Sequence, residues 1–202
     1  MKEYNIKIIN NLPNWDEIEK LSINIPYLDT PDSITAAAQI CCNDEKFFVH
    51  LETKEKNYLR EQKGLMGLPY LDSCLEFFFS PIENDTRYFN IEFNSNACVF
   101  FGLAGGADSI MRQTPEDTSM DFFKPNILTY EDSWEIYYEV PFYLIRRYFP
   151  DFNVYNGKKI RANCFKCSDN STPPHYLSWN LVEGTPFAFH KPECFGQMTF
   201  VK

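Results

Sequence analysis

The chain has 202 residues, 44% of them apolar and 17% aromatic, with nineteen Phe and twelve Tyr. That length lets one large domain bury a full core without disulfide or metal staples. Its formal net charge is −9 and its nineteen Lys and Arg form no basic run, which argues against a nucleic-acid backbone or an anionic membrane surface as partner.

No apolar stretch approaches the roughly 20 residues that span a bilayer. Met1 to Asn10 alternates polar and apolar residues without an apolar signal segment. The cytoplasm is therefore expected as the sequence stands, and secretion if a leader has been removed. Seven cysteines, with Cys41 and Cys42 adjacent, do not make the paired framework of a small secreted domain. Cys164 and Cys167 have C-x-x-C spacing, but residues three apart on a strand face opposite ways. No second pair completes a tetrahedral zinc set, so reduced, buried thiols are expected.

In chain order, residues 34–42, the turn Asn43-Asp44-Glu45 and residues 48–52 form a predicted hairpin. Residues 73–80 and 87–94 are two further strands across a turn-rich 81–86, and 97–103 continues the meander to Gly105-Gly106. Residues 108–124 read as a polar loop crossing between sheets. Residues 133–140 alternate most cleanly, with Trp134, Ile136, Tyr138 and Val140 on one side. Pro141 opens a short helix near 141–149, where proline is tolerated in the first turn. Strands at 158–167 and 195–201 close the chain. The expected fold is all-β: one domain over 1–202, an antiparallel two-sheet β-sandwich of jelly-roll type with one short helix.

One strand parity is core: Val49, Leu51, Leu75, Phe77, Phe79, Phe89, Ile91 and Phe93. The other interleaves rings, carboxylates and amides: Phe48, His50 and Glu52; Cys74, Glu76 and Phe78; Tyr88, Asn90 and Glu92. Arg161, Asn163 and Phe165 join it if they share the sheet. Sugars present an apolar C–H side that stacks on rings and hydroxyls that pair with carboxylates and amides, so this face suits a saccharide. A second reading has the face covered by the 105–130 segment, with its polar groups satisfied there.

Several segments resemble the family 9 carbohydrate-binding modules. Tyr70-Leu71-Asp72-Ser73-Cys74-Leu75-Glu76-Phe77-Phe78 is similar to that family's D-S-x-E-x-F strand entry. Tyr176-Leu177-Ser178-Trp179 and Pro192-Glu193-Cys194-Phe195-Gly196-Gln197 resemble its S-W and P-x-x-F-G ending. Between them, Trp134-Glu135 leading to Glu139-Val140-Pro141, and 159–163, resemble the intervening strand, turn and strand. The likeness runs from about residue 34 to the end of the chain.

The resemblance implies a non-catalytic module that recognises a mono- or oligosaccharide on a concave sheet face, with a glycoside hydrolase as partner, as in xylanase-borne members. Those members sandwich a terminal sugar between two Trp with a Glu, an Arg and an amide. By position the first Trp falls at Tyr70, the second at Phe189-His190, the Glu at Glu76, the Arg on or near Asn90 and the amide near Thr185-Pro186. Trp179 matches a core Trp. His175 and His190 are further polar candidates at the same end. The sugar-binding set is thus Tyr70, Glu76, Asn90, Phe189, His190 and His175, with no catalytic residue. No cofactor is required by the resemblance, although family members can carry structural calcium, for which Asp29, Asp32, Asp108, Glu116, Asp117 and Asp121 supply oxygen-rich loops.

Three other functions compete. A glycoside hydrolase would use Glu76 with Glu52 or Glu92 as paired carboxylates. A haem-binding sandwich would use Met66 or Met111 with His175 or His190. A protein-interaction sandwich would use the same face.

Overall fold

The computed structural model describes residues 1–65, 67–105, 110–112, 122–184 and 188–202. The N-terminal third holds β1 (Glu3–Ile8), β2 (Leu21–Ile23), β3 (Ile25–Tyr27), β4 (Thr35–Cys42) and β5 (Lys46–Lys54). The centre holds β6 (Cys74–Ser80), β7 (Tyr88–Asn94), β8 (Val99–Ala104), β9 (Ile110–Arg112), β10 (Asn126–Thr129) and β11 (Ser133–Pro141). Helix α1 (Phe142–Tyr148) follows, then β12 (Lys159–Ser168), β13 (His175–Ser178) and β14 (Gly196–Val201). The expected hairpin, meander and closing strands all form, and α1 lies within the expected helical segment. Pro141 ends β11 and sits at the helix N-cap, where its missing N–H costs nothing. Among the described residues no helix is long and apolar enough to cross a membrane.

The strands follow one path, β10-β11-β5-β4-β1-β14-β12-β6-β7-β8-β9, with β2, β3 and β13 attached at its flanks. The sheet is mixed and curls into a half-barrel, rather than forming two separate antiparallel sheets. The difference comes from β1, a segment whose alternation had no assigned partner. It runs parallel to β14 over Glu3 to Lys7, then parallel to β4 at Lys7 and Ile8, and so joins the two arms.

Curling brings the arms' inner faces together. Phe47 of β5 meets Phe77 and Phe79 of β6 edge-on, at ring separations of 6.3 and 5.6 Å. Val49, Leu51, Trp134, Ile136, Tyr138 and α1's Phe142 and Ile145 complete this core with Phe89, Ile91 and Phe93. Because side chains alternate across a strand, the outward parities of the two arms point in opposite directions. The single polar face expected from sequence is therefore two faces. Phe48, His50 and Glu52 look outward from β5, whereas Cys74, Glu76, Phe78, Tyr88, Asn90 and Glu92 lie on the far side of the molecule. Arg161, Asn163 and Phe165 do share the latter face, opposite Ser80, Phe78 and Glu76.

That second face is partly covered. The chain after β13 lays Phe189 and Phe195 against Phe78, Tyr88 and Phe165 in a small separate apolar cluster. Asn163 exchanges hydrogen bonds of 2.9 Å with the backbone of Asn180, and the Arg161 guanidinium donates to the carbonyls of Phe195 and Gly196. These polar groups are satisfied by Asn180, Phe195 and Gly196, rather than by the 105–130 segment of the second reading. The face stays open at its other end, where Glu76 lies.

Candidate functional site

The strand register fixes the floor of the opening. Glu76 on β6 stands opposite Glu92 on β7 and Phe165 on β12. Around it lies a cavity of about 480 Å³ lined by Tyr70, Glu76, Glu92, Phe100, Cys167, Asp169, Tyr176, Ala188, Phe189 and His190. That is within the roughly 300–1,000 Å³ of ligand pockets, and the mixture of rings with a few polar groups is their usual lining.

The rings are held by their neighbours. Tyr70 belongs to a 3-10 turn, Pro69–Leu71, entered through a proline. The turn is tied to the end of β12, because the carbonyls of Tyr70 and Leu71 accept the N–H groups of Asp169 and Asn170 at 3.0 and 3.1 Å. Tyr70 meets Phe100 edge-on at 6.5 Å. Phe189 stacks on Phe165 at 4.1 Å with the planes 16° apart, and Tyr27 and Tyr176 meet it edge-on. His190 stacks on Phe78 at 5.1 Å, with its Nδ1 2.9 Å from the Tyr88 hydroxyl. Burial pushes the His190 imidazole down to about 4. The ring is thus neutral, and a Tyr88 hydroxyl donating to Nδ1 leaves the ring proton on Nε2.

The carboxyls are shifted the other way. Glu76 is 2% exposed, and its Oε1 accepts the Cys167 thiol at 2.9 Å. Burial, reinforced by the neighbouring Cys167 and Glu92, raises it well above the usual carboxylate range. Burial also raises Asp169, partly offset by a hydrogen bond from the Tyr176 hydroxyl. A neutral carboxylic acid both donates and accepts, which matches sugar hydroxyls that do the same. Glu92 is oriented from below by Asn90, whose Nδ2 donates to Glu92 Oε1 at 2.8 Å. The Asn90 Oδ1 has no hydrogen-bond partner among the described residues. It approaches Gly102 so closely that a Cβ there would lie 2.0 Å from it.

Four of the six sequence-derived candidates, Tyr70, Glu76, Phe189 and His190, meet in this one cavity. Asn90 is fully buried under Glu92 and does not line it. His175 is placed elsewhere. Its Nε2 lies 3.2 Å from Glu55 Oε1 and 2.9 Å from Lys166 Nζ, and Lys166 Nζ is 3.0 Å from Glu55 Oε2. Ser73 donates to the same carboxylate and accepts the indole N–H of Trp134. Burial opposes ionisation of Glu55, but hydrogen bonds from His175 and Ser73 and the Lys166 charge outweigh it and hold the carboxyl at about 2.

The residue that reaches the cavity from β13 is Tyr176, next to His175. Tyr176 is opposite Cys167, which shares the outward parity of Glu76, and His175 is opposite Ser168. The parity of β12 would have identified it. Asp169, Phe100 and Ala188 carried no sequence signal. Thr185 and Pro186 lie outside the described residues.

Two groups of three ligating side chains converge among the described residues: Cys74, Glu76 and Cys167, and His50, Glu52 and Glu135. In the first, burial raises the Cys74 thiol to about 12 and also raises the Cys167 thiol, so both are protonated, and Glu76 faces the cavity. Asp29 and Asp32 belong to neither group; Asp108, Glu116, Asp117 and Asp121 lie outside the described residues. Met111 is 61% exposed on β9 and His175 is committed to Glu55, so neither supplies the buried axial ligand a haem needs; Met66 lies outside the described residues.

No curated protein matches the chain. A solved structure from Bacteroides uniformis, provisionally described as a carbohydrate-binding protein, is similar at 26% identity and a TM-score of 0.80, covering 98% of this chain and 99% of that one. A family 9 carbohydrate-binding module from Caldicellulosiruptor kristjanssonii, solved in complex with glucose, shares the fold at 12% identity and a TM-score of 0.63, over 98% of this chain and 95% of its own. The cellotriose complex of a family 9 module from the same organism matches at 10% identity and a TM-score of 0.64, over 99% and 94%. The profile of carbohydrate-binding family 9 matches residues 10–200, and the chain belongs to that family.

Proposed function

We propose that the cavity at Glu76 receives a terminal sugar residue and that the domain is a non-catalytic saccharide receptor. The observation that carries this reading is the convergence of Tyr70, Glu76, Phe189 and His190 in one opening of about 480 Å³. Tyr70, Phe100, Tyr176 and Phe189 supply apolar faces for the C–H side of the ring. Glu76, Glu92, Asp169 and His190 supply donors and acceptors for hydroxyls. Glucose and cellotriose, the ligands of the Caldicellulosiruptor complexes, are the first sugars to test. Association with a glycoside hydrolase is part of the same reading.

Calorimetry with glucose, cellobiose, cellotriose and xylose tests it, alongside Phe189→Ala and a distant control, Tyr143→Ala, on exposed α1 surface. Saturable binding by the wild type and control, weakened about tenfold or more in Phe189→Ala (~1.4 kcal/mol), is the expected result. Binding that survives unchanged in Phe189→Ala removes the cavity from the mechanism.

A glycosidase reading draws on one observation, the buried and elevated carboxyl of Glu76 directly opposite Glu92. Acid and nucleophile in retaining enzymes are about 5–5.5 Å apart, near the spacing of cross-strand neighbours. Turnover of a glycoside panel that disappears in Glu76→Gln would establish it.

A further inference from the structure

On the other arm, far from the saccharide cavity, the outward face of β4, β5 and β11 carries a second constellation. Gln39, His50 and Tyr137 are register partners, and Glu52 stands opposite Glu135. His50 is 4% exposed, stacked flat on Tyr137 at 4.1 Å and flanked by Trp15 at 5.4 Å. The ring plane is therefore fixed before any ligand arrives.

The protonation of that ring is set by Gln39. The Gln39 Nε2 donates to two backbone carbonyls, those of Trp15 and Ile18, each at 2.7 Å. The amide cannot be flipped without losing both bonds, so its Oε1 is the atom 2.9 Å from His50 Nδ1. An oxygen acceptor there requires a proton on Nδ1, so Nε2 is the nitrogen that faces the carboxylates, donating to Glu135 when the ring carries a second proton and offering a lone pair when it does not. Nε2 points at two carboxylates, with Glu135 Oε2 at 2.7 Å and Glu52 Oε2 at 3.9 Å. A metal cation can take the place of that second proton between the ring and the two carboxylates.

We propose that His50, Glu52 and Glu135 bind a divalent transition-metal ion of the zinc type. The three ligating atoms lie within 4.8 Å of one another. Zinc bonds of about 2.0–2.2 Å to nitrogen and oxygen require Glu52, whose side chain is 36% exposed, to turn from its 2.7 Å ion pair with Lys20, and Glu135 to shift from its 2.7 Å contact with Nε2. The outer shell is already built: Gln39 holds the imidazole tautomer, and the hydroxyls of Tyr137 and Tyr130 donate to Glu135 at 2.9 and 3.1 Å. A carbonyl- or carboxylate-bonded ring N–H behind the ligating nitrogen is the usual support of a metal-binding histidine. Imidazole selects zinc, copper, nickel or iron over calcium and magnesium, which take oxygen. Glu52 and Glu135 also line a second cavity, of about 750 Å³, so a fourth position faces space for water or an oxygen ligand.

Zinc uptake by the metal-free full chain, measured against a chromogenic chelator and repeated with cobalt absorption, tests the site. One equivalent per chain is expected, lost in His50→Ala and Glu135→Gln. Gln39→Leu keeps all three ligands but frees the tautomer, and should weaken zinc roughly 10- to 100-fold. Glucose titration of each variant reports on the separate saccharide cavity and on folding, so failure of one reading leaves the other standing. No uptake by the wild type overturns the proposal. So does uptake that survives in His50→Ala but disappears in Cys167→Ser, or a His50 ring whose nitrogen shifts show both protons retained throughout a zinc titration.

Discussion

His190 gives the Glu76 cavity a built-in pH dependence whose size follows from its burial. Its imidazole titrates at about 4 in the folded chain against an ordinary 6.5. The unfolded chain therefore binds a proton that the folded chain refuses between those values, and stability must fall as pH falls through that window. The single-site linkage relation gives losses of about 0.2 kcal/mol at pH 7, about 2 kcal/mol at pH 5 and about 3 kcal/mol at pH 4. Below about pH 4 both states are protonated and the penalty stops growing.

The perturbation is His190→Phe, which keeps a flat ring against Phe78 and removes the proton site. Urea unfolding of wild type and variant at pH 7, 6, 5 and 4 isolates this group, because carboxylates such as Glu55 titrate in both proteins and cancel. The wild type should lose about 3 kcal/mol relative to the variant between pH 7 and pH 4. Protonation also removes the acceptor for the Tyr88 hydroxyl, so glucose affinity should decline over the same range. Parallel stability curves, with a difference independent of pH, would refute the reasoning.

The Glu76 carboxyl has the opposite sign: its folded pKa lies above the unfolded one, so its contribution is lost as pH rises. Glu76→Gln should accordingly melt higher than wild type at pH 7 and equal to it near pH 4 in scanning calorimetry. Glu55→Gln leaves the fully buried Lys166 ammonium without its ion pair and should cost about 3–5 kcal/mol in urea unfolding. The double variant with Lys166→Met should recover much of that loss. At Gly102 an added Cβ meets Asn90 Oδ1 at 2.0 Å, so Gly102→Ala should cost about 1–3 kcal/mol. It should also weaken glucose binding, measured by calorimetry, through displacement of Asn90 from Glu92.

Local patterning carried most of the elements. Alternation over 48–52, 73–80, 87–94 and 133–140 located β5, β6, β7 and β11, because a strand with one buried face must alternate. Proline followed by amphipathic residues located α1. The family motifs led to Glu76, Tyr70 and Phe189-His190, since each lies beside a strand entry or ending that is itself recognisable. Within β13 the choice of His175 over Tyr176 was a parity error of one residue, and the imidazole proved to belong to Glu55 and Lys166.

What the sequence by itself determined was the strand-rich class, the buried parity of each strand and four residues, Tyr70, Glu76, Phe189 and His190, that line one cavity. Only the tertiary structure decided that β1 runs parallel between β4 and β14, and that the outward residues of β5 and β6 face opposite ways. Tertiary contacts also brought His50, Gln39 and Glu135 together from strands remote in sequence. The reason is physical: side-chain alternation is local and can be read residue by residue, whereas strand order depends on which apolar faces close the shared core most completely.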